Sequence, residues 1–310
     1  MRITIVIPCY RSEKTLEDVV KEAKAEILKR EGNDYQFVLV NDCSPDDTFG
    51  VIKKLCAEDS KIVGLDLGRN YGQNNARLAA VPYITGDVAV CIDDDGQHPA
   101  DQIYTLVDKV VEGYDLVYAR FKTKKVSLFR RIVSKINTAV LEITGAMMKG
   151  ITNSPFLAWS RFSIDALKEY ASPFPSAGAY LMKCTTRVIN VDVEQRARKE
   201  GHSGDTLKKL LNLWLTGVTN FSAVPLRLSF IFSVLAMICC LGFAVTAIVL
   251  GVLGSALVMW FVTYSIVSLF FSILFFLITL LGEYIGKIYM TISKQPTRVV
   301  RTAVNADIQS

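Results

Sequence analysis

Short apolar runs alternate with helical patterns through roughly the first 120 residues. Continuous apolar runs at 3–7, 36–41, 61–66, 87–92 and 115–118 predict strands, and stretches at about 14–30, 47–58, 72–84 and 100–112 predict helices between them. Strands that are apolar on both faces and separated by helices form a parallel sheet covered on both sides. Such a sheet binds ligands outside the carboxyl ends of its strands. Polar residues follow each predicted strand: Tyr10, Asn41 and Asp42, Arg69 and Asn70, Asp93 to Gln97, and Arg120. Together they predict a polar crevice along one sheet edge.

The pattern then changes. Leu128, Ile132, Ile136, Val140 and Ile143 recur at helical spacing within 127–145, with Arg130, Arg131 and Lys135 off that stripe. A second amphipathic stretch, 205–223, sets Leu207, Leu210, Leu211, Trp214, Val218 and Phe221 against Lys208 and Lys209. Their basic flanks suit helices lying in a membrane interface as well as helices capping the sheet. From 228 to 282 the chain carries no Lys, Arg or Asp. Two stretches in it, 228–250 and about 261–281, each reach the roughly 20 residues that cross a bilayer core. Arg227 precedes the first, and Lys287, Lys294, Arg298 and Arg301 follow the second, so both outer ends are expected on the cytoplasmic side. The expected organisation is a catalytic domain over 1–225, a transmembrane hairpin over 226–286 and a basic tail over 287–310.

Composition narrows the chemistry. The net charge of +5 is small, and the basic residues gather beside apolar segments, which favours an anionic lipid surface over nucleic acid. Seven cysteines without C-x-x-C spacing read as reduced thiols, and two histidines offer little for a His-based zinc site or a Ser-His-Asp triad. The chain opens on a strand-like run with no leader of signal-peptide form, so the expected site is the cell (inner) membrane with the catalytic domain cytoplasmic. Three consecutive aspartates, Asp93-Asp94-Asp95, repel one another unless a cation offsets them. Oxygen-only ligands suit Mg2+ or Mn2+, with a metal diphosphate as the favoured partner; an acidic loop without metal is the alternative.

The chain resembles the family 2 glycosyltransferases in Ile5-Val6-Ile7-Pro8-Cys9-Tyr10, in Val40-Asn41-Asp42-Cys43-Ser44-Pro45-Asp46-Asp47-Thr48 and in Asp93-x-Asp95-x-Gln97-His98-Pro99. More narrowly it resembles the polyprenyl-phosphate glycosyltransferases, in Leu67-Gly68-Arg69-Asn70-Tyr71-Gly72-Gln73-Asn74 and in Gly282-Glu283-Tyr284-Ile285-Gly286-Lys287-Ile288-Tyr289. The resemblance implies an α/β fold: a GT-A (Rossmann-like), mostly parallel sheet domain followed by amphipathic interface helices and a two-helix transmembrane hairpin. It implies that Pro8, Tyr10 and Asp42 border the nucleoside and that Asp93 and Asp95, with Gln97 nearby, bind the metal diphosphate as the catalytic set. Asp94 takes a lesser substrate-binding role, Asn41 stands where many relatives have Asp, and Glu13, Arg69 and Ser203 complete the expected donor contacts. Arg120 with Arg130 or Arg131 is expected to meet the lipid phosphate.

The implied reaction is inverting transfer of one sugar from a nucleotide-sugar, expected to be UDP-linked, to a polyprenyl phosphate, expected to be undecaprenyl phosphate. The product would serve cell-envelope glycan modification. A phosphate acceptor is already ionised near neutral pH, so no general base is needed. Two segments depart from the relatives: Thr152 to Ala158 lacks an Asp and an Arg, and Asp205 follows Gly201-His202-Ser203-Gly204 where an aromatic residue is common. The sugar is therefore not carried over. A non-catalytic nucleotide-sugar-binding membrane scaffold is the alternative. A processive polysaccharide synthase is disfavoured because the chain has no Q-x-x-R-W motif and too few apolar segments. Self-association through the amphipathic helices or the hairpin is open.

Overall fold

The computed structural model describes residues 1–121, 147–170, 176–194, 256–292 and 298–306. They fall in two compact units, one built from 1–142, 147–206 and 295–310 and the other from 143–146 and 207–294.

In the first unit the elements run β1 (Arg2–Cys9), α1 (Leu16–Ile27), β2 (Asp34–Asn41), α2 (Thr48–Glu58), β3 (Ile62–Leu67), α3 (Gln73–Ala80), β4 (Val88–Cys91), α4 (Ile103–Val111) and β5 (Leu116–Phe121). After these come β6 (Leu157–Ser160), α5 (Arg161–Lys168), α6 (Ala177–Cys184), β7 (Val188–Val193) and β8 (Val300–Val304). All five predicted strands and four predicted helices are present, with ends shifted by a few residues. The sheet order is β7-β5-β6-β4-β1-β2-β3-β8. β1 is parallel to β2 and β4, β2 to β3, and β5 to β7, while β6 runs antiparallel to β4 and β5. β1 to β5 therefore point the same way, and their carboxyl ends share one edge.

The two faces follow from alternation within buried strands. Ile3, Ile5, Ile7 and Cys9 of β1 and Phe37 and Leu39 of β2 pack in one core with α1, α2 and α4. Val6, Val38 and Val40 pack in the other, with Leu78 of α3, Ile164 of α5 and Leu181 of α6. In α4, Ile103, Leu106, Val107 and Val110 form the buried stripe, the spacing that binds a helix to a sheet. The Cys9, Cys56 and Cys91 thiols are buried in these cores, and burial raises the pKa of each, to about 11 for Cys56 and about 12 for Cys91.

The expected tail over 287–310 is corrected. The preceding helix continues to Ile292, and Val300–Val304 pairs antiparallel with β3 as an edge strand. Val-Arg-Thr-Ala-Val has the alternation and the exposed charge of a sheet edge, which a composition reading takes for a polar terminus.

The described part of the second unit is α7 (Ala256–Ile292), 37 residues with no Asp, Glu, Lys or Arg before Glu283. The second expected span, 261–281, lies inside it. The described side chains of α7 do not by themselves amount to a helix long and apolar enough to cross a membrane. The first expected span, 228–250, and both amphipathic stretches lie outside the described residues.

Candidate functional site

The acidic loop follows β4 and meets the turn that follows β1, because those strands are neighbours in the sheet. Pro8 pairs in register with Val40, beyond Val6 where the β4 ladder stops, so its missing N–H costs no bond on that side. Tyr10, exposed at the strand end, donates its backbone N–H to Asp94 Oδ2 at 2.9 Å. The Ser12 hydroxyl donates to the same oxygen, and Thr15 Oγ1 donates to the Asp94 carbonyl at 2.7 Å. Asp94 is thus turned toward the β1–α1 turn and fastens it to the acidic loop. Burial raises its pKa to about 6, against the lowering effect of the Ser12 and Tyr10 bonds.

Asp93 faces α3. Its Oδ1 accepts from Gln73 Nε2 and from Arg77 at 2.9 Å, and Arg77 is only 6% exposed, so a buried guanidinium offsets one of the three carboxylates. The Arg77 Nε is buried without a hydrogen-bond partner. The Asp93 backbone N–H donates to His98 Nδ1 at 2.9 Å, which puts the imidazole proton on Nε2, 3.6 Å from Asp93 Oδ2. His98 stacks against Phe156 and Phe121, with ring centroids at 5.1 and 5.7 Å. Burial lowers its pKa, so the ring is a neutral packing and orienting group at neutral pH. Sequence reasoning passed over Arg77 as a site residue. An arginine on the Ala-rich, buried face of α3 was the available signal.

Asp95 Oδ1 accepts the Gln97 backbone N–H at 3.0 Å, a bond within the loop that orients the carboxylate. Among the described residues no group of three His, Cys, Asp or Glu side chains is arranged to hold a metal. The carboxylates of Asp93 and Asp95 still fit a hard divalent ion of the kind that takes one or two protein carboxylates and completes its shell with substrate phosphates and water.

Asp42 accepts the backbone N–H groups of Tyr71 at 2.7 Å and Gly72 at 2.8 Å, and burial raises its pKa. It fastens the loop after β3 to the end of β2. Gly72 has φ 86°, which a side chain would strain, and it leads directly into α3. Asn41, which stands where many relatives have Asp, is buried and donates to Asp66 Oδ1 at 2.7 Å while accepting the Ser44 N–H at 3.2 Å. Arg11 and Cys43, neither of them glycine, sit at φ 60° and 54° two residues beyond the ends of β1 and β2, strain of the kind found at functional loops. Glu13 is exposed and accepts the Asp47 N–H at 3.3 Å. Arg69 is exposed with its guanidinium 4.9 Å from the Tyr71 ring centre.

The structure therefore brings Pro8, Tyr10, Glu13, Asn41, Asp42, Arg69, Asp93, Asp94, Asp95 and Gln97 to one edge. Arg120 lies further along it at the end of β5, where its Nε meets Asp192 Oδ1 of β7 at 2.6 Å. Both partners are about half exposed, so the pair can open to another anion. Arg130, Arg131 and Ser203 lie outside the described residues.

A cavity of about 260 Å³ lies at the opposite, amino edge of the sheet, lined by Arg2, Gln36, Lys61, Tyr83, Thr85 and Asn305 among others. Its polar groups bond to one another: Thr4 and the Thr85 N–H to Gln36 Oε1, Gln36 Nε2 to the Tyr83 carbonyl, and Arg2 and Lys61 to Asp34. It is a joint in the fold, away from the acidic loop.

Residues 4–168 match the family described as Glycosyl transferase family 2. The undecaprenyl-phosphate 4-deoxy-4-formamido-L-arabinose transferase of Proteus mirabilis (strain HI4320) is 31% identical over 313 residues, covering 98% of this chain and 94% of its own. The enzyme of the same name from Klebsiella pneumoniae (strain 342) is 30% identical over 310 residues with the same coverage. Among solved structures, mannosyl-3-phosphoglycerate synthase from Rubrobacter xylanophilus superposes with a TM-score of 0.52 at 17% identity, covering 73% of this chain and 74% of that one. Glucosyl-3-phosphoglycerate synthase from Mycobacterium tuberculosis, crystallised with phosphoglyceric acid, gives 0.50 at 19% identity, covering 71% and 80%. At these identities the likeness concerns the fold, and it is the mostly parallel GT-A fold expected from the resemblance.

Proposed function

The chain belongs to glycosyl transferase family 2, and within that family we propose that it transfers one sugar from a nucleotide-sugar to a polyprenyl phosphate at the cytosolic face of a membrane. The observation that carries this reading is the acidic loop Asp93–Asp95 at the carboxyl edge of the sheet, in a chain that also holds the uncharged stretch 256–282 of α7. The relatives named for undecaprenyl-phosphate transfer support it, because the likeness extends over 98% of this chain and so includes its apolar part.

The donor lies against the ends of β1, β2 and β4 in this reading. Asp42 holds the 68–72 loop as one wall, and Asp93 and Asp95 face the diphosphate. Mg2+ or Mn2+ bound there would neutralise charge on the departing nucleoside diphosphate. The chain's own residues do the rest. Arg77 and Gln73 hold the Asp93 carboxylate in place, neutral His98 fixes the backbone of the loop, and Asp94 locks that loop to the β1–α1 turn. The acceptor phosphate monoester, with a second pKa of about 6, is largely ionised at neutral pH and attacks the anomeric carbon directly. One displacement inverts the configuration. Arg120 is positioned for an anionic headgroup if it exchanges Asp192 for phosphate.

The test uses purified full-length protein in lipid with undecaprenyl phosphate, Mg2+ or Mn2+, and a panel of UDP- and other nucleotide-sugars, with the lipid product identified by mass spectrometry. A singly glycosylated lipid phosphate with one donor is the expected result. No lipid-linked sugar with any donor, together with nucleotide binding indifferent to chelator, would favour the scaffold.

A further inference from the structure

The segment 298–306 does more than extend the sheet. β8 pairs Val304 with Gly64, Ala303 with Leu65 and Thr302 with Asp66, and the register then slips so that Val300 faces Leu67. Arg301 is the extra residue of this bulge, a device that redirects a side chain at the end of a ladder. Its guanidinium donates to the Gly68 carbonyl at 2.9 Å, while the Gly68 N–H donates to the Val299 carbonyl at 2.9 Å. Both backbone groups of the first residue in the 68–72 loop are thus held by the C-terminal segment, one by Arg301 of β8 and one by Val299 just before it. The far end of the same loop is held by Asp42 through Tyr71 and Gly72. Gly72 leads into α3, which carries Gln73 and Arg77 to Asp93.

We propose that β8 is a clasp on the donor loop and that Arg301 is a positioning residue for nucleotide binding. This rests on the donor reading above. Arg301 touches no substrate; it sets where the loop leaves β3, and through the loop it governs how Asp42 and α3 present the carboxyl edge. The other end of β8 has a different attachment. Asn305 donates to the Cys56 carbonyl of α2 and to the Ile62 carbonyl at the amino end of β3, away from the loop.

The experiment compares Arg301→Ala, Arg301→Lys and Asn305→Ala in the full chain. Calorimetry with UDP and Mn2+ is paired with hydrogen exchange at the Tyr71 and Gly72 amides. Arg301→Ala is expected to speed exchange at those two amides and weaken UDP about three- to ten-fold, the effect of losing one hydrogen bond. Arg301→Lys should recover part of the affinity. Asn305→Ala should lower the melting temperature and leave UDP affinity within about two-fold of the parent, well inside one hydrogen bond's worth. Unchanged exchange at Tyr71 and Gly72 in Arg301→Ala, or equal loss of UDP affinity in Asn305→Ala, overturns the clasp. Faster exchange in Arg301→Ala in a parent that binds no UDP would uphold the clasp on the loop and count against the donor reading instead.

Discussion

The two edges of the same sheet carry similar residue types and use them in opposite ways. At the amino edge, Asp34 accepts from Arg2 at 2.9 Å and from Lys61, and its pKa is held down at about 2. At the carboxyl edge, burial raises the pKa of both Asp42 and Asp94. The amino edge places Asp34 between two cations, and Gln36 bonds Thr4 and Thr85 beside it. The carboxyl edge crowds three aspartates into one loop with a single buried arginine against them, and strains Arg11 and Cys43 beside it. An edge that stabilises the fold neutralises itself, whereas an edge that binds a charged ligand keeps charge in reserve.

The largest break in this contrast should come from Asp95→Ala. Loss of that carboxylate is expected to lower glycosyl transfer at least about 100-fold, the scale on which removing one charge-stabilising group acts. Circular dichroism and the melting temperature should stay near those of the parent, because the Asp95 bond to the Gln97 N–H lies within the loop. Near-parental transfer by this variant would remove Asp95 from the catalytic set.

Arg77→Ala tests the buried guanidinium that offsets Asp93. It leaves Asp93 without its guanidinium in a partly buried position, a change that costs about 3 kcal/mol where buried pairs have been broken. Urea unfolding should show this as a lower midpoint. The double variant Arg77→Ala, Asp93→Ala should recover part of the loss, since it removes the stranded charge as well. Absence of any recovery would mean that Arg77 acts through packing alone.

Much of this contrast was readable from residue patterns, and the unreadable part has identifiable causes. β1 to β5 announce themselves because they are buried on both faces and therefore predominantly apolar, and the polar residues after them follow from the direction of a parallel sheet. β8, exposed at the edge, lacks that signal. The aspartate triplet identified the place but not the division of labour. Asp94 serves the β1–α1 turn, Asp93 is tied to α3, and Asn41 spends its amide on Asp66 and Ser44, all of which depend on side-chain directions set by neighbouring strands. Arg77 went unnoticed because its partner is 16 residues away, across the sheet.

A smaller effect is expected from Asp42→Ala, which leaves the Tyr71 and Gly72 N–H groups without their acceptor. Unmet buried donors cost about 1–3 kcal/mol, so stability should fall by that order and UDP affinity should fall with it. Asp42→Asn keeps one acceptor oxygen and should recover part of both. Equal affinity in all three proteins would detach the 68–72 loop from donor binding.

The smallest effect should come from the amino edge, and its pH dependence should carry the sign that the contrast requires. The Asp34 carboxyl is held below its ordinary 3.8, at about 2, chiefly by the Lys61 hydrogen bond, with Arg2 adding to it. A carboxylate whose folded pKa lies below its unfolded value stabilises the fold above the unfolded value, and that contribution fades as pH falls through the folded one. Asp34→Asn should therefore lower stability slightly at pH 7, by no more than about 1 kcal/mol because both ion pairs are exposed. The difference should shrink between about pH 4 and pH 2, and 1 M salt should shrink it at pH 7. UDP affinity and transfer should match the parent throughout, because the cavity that Arg2 and Lys61 line lies at the end of the sheet away from Asp93 and Asp95. A loss of transfer in Asp34→Asn without a loss of stability would erase the distinction between the edges, since a charge pair at the amino edge would then be serving the chemistry at the other.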